Sequence, residues 1–369
     1  MPSVGLLDYY RQFEAMPVEE VNERLREEAA ERRLKALARV ETLDLSQTTW
    51  TELPHVRIVN AITYAARRAL NRYPHLRGTA LRDELASRHA IDPARVILGN
   101  GAAELLSAAT RALIAPGERL LTSWPSYPLY PIMARRSHGR AVPVSGGVDA
   151  LLEEAHEPET RVIALANPND PTGELMPVAE LRRLLDGVPD GVAVLLDEAL
   201  VEFADAQPTN ASLSLLEDHP RLLIFRSFSK AWGLAGLRVG YALGGPGSEE
   251  VLAELAPDLG VSDGSQSGAL EALRSCSELI ASRVRAVCEE RPRLEAALRD
   301  RGFEVTPSQA NFLWVAHPSL AGGELAARLA RAGVLVAEGS PLGEPRHVRI
   351  AFRDSVTSAR LLEALEKAA

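Results

Sequence analysis

The chain has 369 residues, more than a single hydrophobic core usually organises, so two domains sharing an interface are expected. Hydrophobic residues make up 46% and charged residues 25%, and the formal charge of -9 is spread along the chain, which argues against nucleic acid as a partner. The first thirty residues are rich in charge and no run is apolar for long enough to span a bilayer, so neither a signal peptide nor a membrane span is expected and the chain reads as cytoplasmic.

Residues 17–40 set Val21, Leu25, Ala29, Leu34 and Leu37 among dense Glu and Arg, the pattern of an amphipathic helix opened by proline. Its apolar stripe packs either on its own chain or over a partner subunit, and periodicity does not separate the two. In residues 43–50, Trp50 either lines the mouth of a site or joins the core. Asn71-Arg72-Tyr73-Pro74 reads as a turn. Residues 95–98 form a short buried strand feeding Gly99-Asn100-Gly101-Ala102-Ala103-Glu104, after which Leu105, Leu106, Ala109 and Leu113 give helical spacing. Such a junction exposes backbone N–H groups at the positive end of a helix dipole, so Gly101, Ala102 and Ala103 are candidates to hold a phosphate.

Further apolar strands end in polar residues. Residues 119–122 lead to Trp124-Pro125-Ser126-Tyr127-Pro128-Leu129-Tyr130, in which Tyr130 is assigned to packing. Residues 161–166 lead to the rigid turn Asn167-Pro168-Asn169-Asp170-Pro171-Thr172-Gly173, and 192–196 to Asp197-Glu198-Ala199-Leu200. A carboxylate closing an apolar strand is costly unless paired, which marks Asp197 as functional. Residues 222–225 lead to Ser227-Phe228-Ser229-Lys230, with Arg238 soon after. A lysine in a small-residue turn at a strand's carboxyl end suits an amine that must meet a carbonyl and form a Schiff base. Alternation of these strands with helical segments such as 178–185 implies an α/β fold, a mostly parallel, doubly wound sheet with its ligand crevice outside the carboxyl ends of the strands.

Cys276 and Cys288 have no partner spacing and read as free thiols; the histidines are scattered singly, so no metal is expected. Residues 267–301 read as long bridging helices. Short strands at 304–305, 312–315, 334–336 and 348–352 and a closing helix at 358–368 make a smaller α+β domain. The expected division is an arm at 1–45, a large domain at 46–265, and bridging helices with the small domain at 266–369.

Ser227-Phe228-Ser229-Lys230, followed by Gly233-Leu234-Ala235-Gly236-Leu237-Arg238, resembles the cofactor-lysine segment of class I/II aminotransferases, the fold-type I family, and within it histidinol-phosphate aminotransferases most. The turn at 167–173 and Asp197-Glu198-Ala199 match further motifs of that family, so the likeness spans most of the chain. The resemblance implies pyridoxal 5′-phosphate as cofactor, an amino donor and a 2-oxo acid as substrates, and a homodimer. By matching position, Lys230 would bond the cofactor and carry the proton. Ser227, Ser229 and Arg238 would hold its phosphate beside the N–H groups of Gly101, Ala102 and Ala103. Tyr127 would stack on the pyridine ring, Asp197 would pair with the ring nitrogen, and Tyr73 would reach the phosphate of the neighbouring subunit. Arg349, in Val348-Arg349-Ile350, would clamp the substrate's acidic group. On the same scaffold, an aromatic or broader amino-acid aminotransferase and a decarboxylase of the threonine-phosphate type stay open as alternatives.

The family pattern breaks at Asp170, Leu200 and Ala337. Asp170 stands where the family has an asparagine that donates to the cofactor's O3′, and Leu200 where many members have a tyrosine. An ionised Asp170 would favour a protonated imine, so a raised imine pKa is expected. Ala337 stands where relatives that bind histidinol phosphate have an arginine; losing that fork costs on the order of 1.5–3 kcal/mol of phosphate binding. Arg346 is the neighbour expected to compensate.

Overall fold

The computed structural model describes residues 42–368, together with residues 17, 26 and 27. Most of the amphipathic helix expected at 17–40 lies outside the described residues. β1 (Leu43–Asp44) opens the continuous part. β2 (Val96–Gly99), β3 (Arg119–Ser123), β4 (Arg140–Val144), β5 (Thr160–Ala166), β6 (Ala193–Asp197), β7 (Leu222–Ser227) and β8 (Gly240–Gly244) build one sheet in the order β2-β8-β7-β6-β5-β3-β4. β8 runs antiparallel to both neighbours and the other pairs are parallel, so the mostly parallel α/β sheet is present with one reversed strand.

The central strands are continuously apolar because the sheet is covered on both faces. On β6, Val194 and Leu196 face a core shared with Leu181 and Leu184 of the helix Val178–Gly187. Leu195 faces the opposite core with Leu105 and Leu106 of the helix Ala102–Leu113. β7 repeats the division, Leu222 and Ile224 on one side and Leu223 and Phe225 on the other. Pro143 in β4 obscures that strand in the sequence; it is tolerated because β4 is the sheet's edge.

A second lobe follows the long helix Ser277–Arg299. β9 (Glu304–Thr306), β10 (Phe312–Ala316), β11 (Val334–Leu335), β12 (Ala337–Glu338) and β13 (His347–Ala351) supply its strands; four of them pair antiparallel in the order β12-β13-β10-β9. Phe312, Leu313, Val315, Ile350 and Phe352 make its core. β11 instead pairs in parallel with β1, Leu43 against Val334. Leu45 is buried in the same core, and its carbonyl accepts from the Ala351 N–H at 2.9 Å. Residues 43–45, expected at the end of the arm, therefore pack as part of this lobe, with alternate leucines anchoring the chain.

The two-sided sheet leaves little room where the helix Ala102–Leu113 begins. A Cβ on Gly240 would lie 2.3 Å from the Ala102 nitrogen and 2.7 Å from the Gly101 carbonyl carbon, so that helix starts directly on β8. Beneath the carboxyl ends of the strands, Arg226 pairs with Glu198 at 2.7 Å with both side chains buried. Arg226 also donates to Asn210 Oδ1 and to the Thr209 carbonyl, each at 2.8 Å. Removing one member of such a pair strands a desolvated charge. Glu198→Ala is expected to cost about 3–5 kcal/mol in urea unfolding, and a loss below about 1 kcal/mol would contradict the pairing argument.

Candidate active site

The carboxyl ends of the parallel strands and the small lobe enclose a cleft lined by Ala102, Ala103, Tyr127, Asp170, Asp197, Ser227, Ser229, Lys230 and Arg238. Residues from sequence segments far apart thus meet at one place, as the switch from strand to loop in a parallel sheet dictates.

One end of the cleft is built for an anion. Ala102 and Ala103 occupy the first helical turn, whose N–H groups have no partner within the helix. Arg238 reaches across from the turn after Lys230 and donates to the Ser229 hydroxyl at 3.5 Å and to the Ala235 carbonyl at 3.0 Å. The Ser229 N–H donates to Ser227 Oγ at 3.0 Å, which holds the two hydroxyls together. Gly101 plays a different part from the one expected. Its N–H donates to the Gly99 carbonyl at 2.8 Å, and a Cβ there would lie 2.3 Å from Arg238 Nη2. Gly101 therefore supplies space for the guanidinium and a left-handed bend at φ 91°, not a donor.

The other end holds Asp197, which closes β6. Its Oδ1 accepts from the Ala199 N–H at 3.1 Å and its Oδ2 from the Tyr130 hydroxyl at 3.2 Å. These donors are neutral, and burial pushes the carboxyl up to about 6, partly offset by those two hydrogen bonds and by Lys230. Tyr130, assigned to packing from the sequence, is fully buried and also orients this carboxylate. Tyr127 lies edge-on to Tyr130 with centroids 5.6 Å apart and presents a face of the cleft. Burial, then the Asp197 charge, raise its hydroxyl pKa.

Between the two ends stands Lys230. Burial lowers its pKa, opposed by Asp170 and Asp197 and reinforced by Arg349 and Arg238. Its Nζ donates to the Thr48 hydroxyl, a contact between distant segments that no local motif marks. Thr48 is buried, and its carbonyl accepts from Asn311 Nδ2 at 3.0 Å, so the small lobe fixes it. Trp50, from the same segment, packs on the small-lobe core with the Arg283 guanidinium 4.9 Å over its ring. Thr49, in contrast, lines the cleft.

Arg349 projects from β13 and its Nη1 pairs with Asp170, while Nη2 donates to the Ser46 carbonyl at 3.1 Å. Asp170 is therefore charge-paired, so its pull toward a protonated Lys230 amine is set against that of the Arg349 guanidinium beside it. Ala337 sits directly across the ladder from Arg349. Arg349 reaches the cleft through Asp170, which lines it, and is not itself part of the lining; Arg346 instead pairs with Glu304 at 3.6 Å on the exposed face of the small lobe, away from Asp170. Leu200, where a tyrosine was the family expectation, is a buried apolar wall of the cleft. Tyr73 is 76% exposed and lies outside the cleft of its own chain.

An anion cradle, a desolvated amine, an aromatic side chain on the wall and a buried carboxylate hydrogen-bonded only to neutral donors fit a phosphorylated, carbonyl-bearing heteroaromatic group. Among the described residues no His, Cys, Asp and Glu cluster could hold a metal. Cys276 and Cys288 are unpaired thiols.

The family model for aminotransferase class I and II matches residues 41–367. An aromatic amino acid aminotransferase of Mycobacteroides abscessus is 37% identical over 275 residues, covering 73% of this chain and 78% of that one. Histidinol-phosphate aminotransferase 2 of Pseudomonas fluorescens is 37% identical over 303 residues, 81% of each chain. The structure of histidinol-phosphate aminotransferase from Sinorhizobium meliloti in complex with pyridoxal-5′-phosphate superposes with a TM-score of 0.80 at 25% identity, covering 92% of this chain and 93% of that one. The chain belongs to the class I and II aminotransferases.

Proposed function

We propose that the cleft around Lys230 holds pyridoxal 5′-phosphate and moves an amino group from an amino donor to a 2-oxo acid. The observation that carries this reading is the desolvated Lys230 amine standing between the Ser227, Ser229 and Arg238 cradle and the buried Asp197 carboxylate. When bound, the cofactor supplies an aldehyde for that amine and a ring that acts as an electron sink. Ser227, Ser229, Arg238 and the N–H groups of Ala102 and Ala103 bind its phosphate. Asp197 holds the proton on the ring nitrogen, which supplies the cationic partner that its neutral neighbours do not. Tyr127 lies against the ring, and Tyr130 keeps the Asp197 carboxylate aimed. Lys230 takes the proton from the substrate's Cα and returns it on the other side of the transfer, with Thr48 positioning Nζ. Arg349 faces the substrate from the small lobe.

The histidinol-phosphate reading follows from the overall likeness. A second reading, an aromatic amino-acid aminotransferase, is supported by Ala337 facing Arg349 and by Arg346 being engaged with Glu304, so that neither position offers a second cation for a substrate phosphate. A homodimer is supported by the exposed apolar residues of the helix Val56–Ala69 and its flanks, Leu53, Val56, Tyr64, Leu70, Tyr73 and Leu76. Tyr73 in that patch is the residue that would complete the partner's phosphate site. No helix among the described residues is long and apolar enough to cross a membrane, and the free thiols accord with a cytoplasmic location.

Lys230→Ala is expected to abolish amino transfer while leaving the fold in place, as read by turnover and by circular dichroism; full activity in that variant would refute the assignment. Loading the protein with cofactor and adding histidinol phosphate or phenylalanine in turn separates the two substrate readings by which amine converts the bound cofactor. Release of carbon dioxide without turnover of a 2-oxo acid would point to the decarboxylase instead.

The amine attacks a carbonyl only when unprotonated, and burial lowers its pKa below the ordinary 10.5. Cofactor incorporation into the apoprotein should therefore speed up with rising pH and level off above a midpoint that lies below 10.5. A midpoint at or above that value would contradict the desolvation argument. Sedimentation should give a dimer for the native chain, and Leu70→Glu should shift it to monomer and weaken cofactor binding about tenfold or more; a native monomer with full activity would sink the dimer.

A further inference from the structure

We propose that Asp170 is a built-in counter-ion to Arg349, so that the substrate end of the cleft favours amines whose Cα bears no carboxylate, α-amino alcohols in particular. This rests on the aminotransferase reading and assigns Asp170 as its specificity-determining residue. A carboxylate-bearing partner enters only by disturbing the Asp170–Arg349 pair.

The Arg349 fork is already committed. Nη1 pairs with Asp170, Nη2 donates to the Ser46 carbonyl at 3.1 Å, and the guanidinium lies 5.4 Å from the Phe312 ring. The two side chains are only 12% and 10% exposed, so solvent screens them weakly. A substrate carboxylate docking on Arg349 would sit beside the like charge of Asp170, and two carboxylates sharing one guanidinium repel. An alcohol hydroxyl brings no charge and both donates and accepts, so it can meet the closed pair on either member.

Asp170 cannot turn aside cheaply. Its turn is pinned by Asn169, whose Oδ1 accepts from Ser126 Oγ at 2.8 Å and whose Nδ2 donates to the Pro125 carbonyl at 3.0 Å. Asn167 fixes the other side of the turn, exchanging hydrogen bonds with the Met176 backbone at 2.7 and 3.0 Å. The pair also joins the two lobes, since Asp170 follows β5 and Arg349 lies on β13. Breaking it for a carboxylate therefore costs a contact between lobes, whereas an alcohol leaves that contact intact.

The test uses stable reduced conjugates of pyridoxal phosphate with phenylalanine and with phenylalaninol, titrated calorimetrically into the full chain freed of bound cofactor. The native protein should bind the phenylalaninol conjugate about threefold or more tightly than the phenylalanine conjugate, and Asp170→Asn should reverse this to about tenfold in favour of the carboxylate. A native protein that prefers the phenylalanine conjugate overturns the proposal, a result that needs no variant to fold, and an unchanged ratio in Asp170→Asn overturns it equally. If neither conjugate binds the native protein, the aminotransferase reading itself falls and this one with it.

Discussion

The site depends on one costly placement, the Asp197 carboxylate at the end of a strand that is apolar on both faces. Taking a carboxylate out of water costs several kcal/mol unless an opposite charge answers it, and here a backbone N–H, a tyrosine hydroxyl and the charge of Lys230 offset that burial only in part. The carboxyl is consequently driven up to about 6. A protein has little reason to keep such a group except to meet a cation that arrives from outside. The remaining features follow from where that cation must sit: Tyr127 beside it, Lys230 across from it, and the phosphate cradle at the far end. Because β5, β6 and β7 run parallel, their carboxyl ends deliver these groups to one edge without long excursions of the chain.

The two lobes divide the work. The sheet and the helix Ala102–Leu113 provide the groups suited to a fixed, phosphorylated ring. The small lobe provides Thr48, which meets Lys230, and Arg349, which pairs with Asp170 and donates to the Ser46 carbonyl. Leu45 explains how a segment so early in the chain comes to serve that lobe, because its burial beside Ile350 and Phe352 ties residues 43–50 to β13. Any change in how the lobes sit would move Thr48 and Arg349 together relative to Lys230.

Most of this was legible because strand ends and small-residue turns leave compact signals. Lys230, Asp197 and Arg238 each follow an apolar run, and the cleft gathers them as that pattern implies. The misses share a physical cause, that a hydrogen bond between distant segments leaves no local trace. Thr48 is one threonine in a polar stretch, yet it lies 182 positions from the amine it contacts. Tyr130 looked like core and is core, with a hydroxyl whose partner is 67 residues away. Gly101 carried a true signal read in the wrong sense, since its lack of a Cβ matters more than its N–H. Arg346 is near Arg349 in sequence, but it precedes β13 and pairs with Glu304 on the exposed side.

Two of the departures from the family pattern act on the same charge. Position 170 changes an amide for a carboxylate, and position 337 an arginine for an alanine; each change subtracts one unit of positive charge. The fold brings both to Arg349, Asp170 in an ion pair with it and Ala337 opposite it in the ladder. A site that would otherwise hold two unanswered guanidinium groups thus holds one, already answered. Either change alone would leave a residual cation to attract an acid, and together they leave none at that spot. Leu200 removes a hydroxyl from the same wall and replaces it with buried apolar surface. The substrate end has moved away from recognition by charge and toward recognition by shape and neutral hydrogen bonds, while Lys230, Asp197 and the Ser227, Ser229 and Arg238 cradle keep their charged and polar groups.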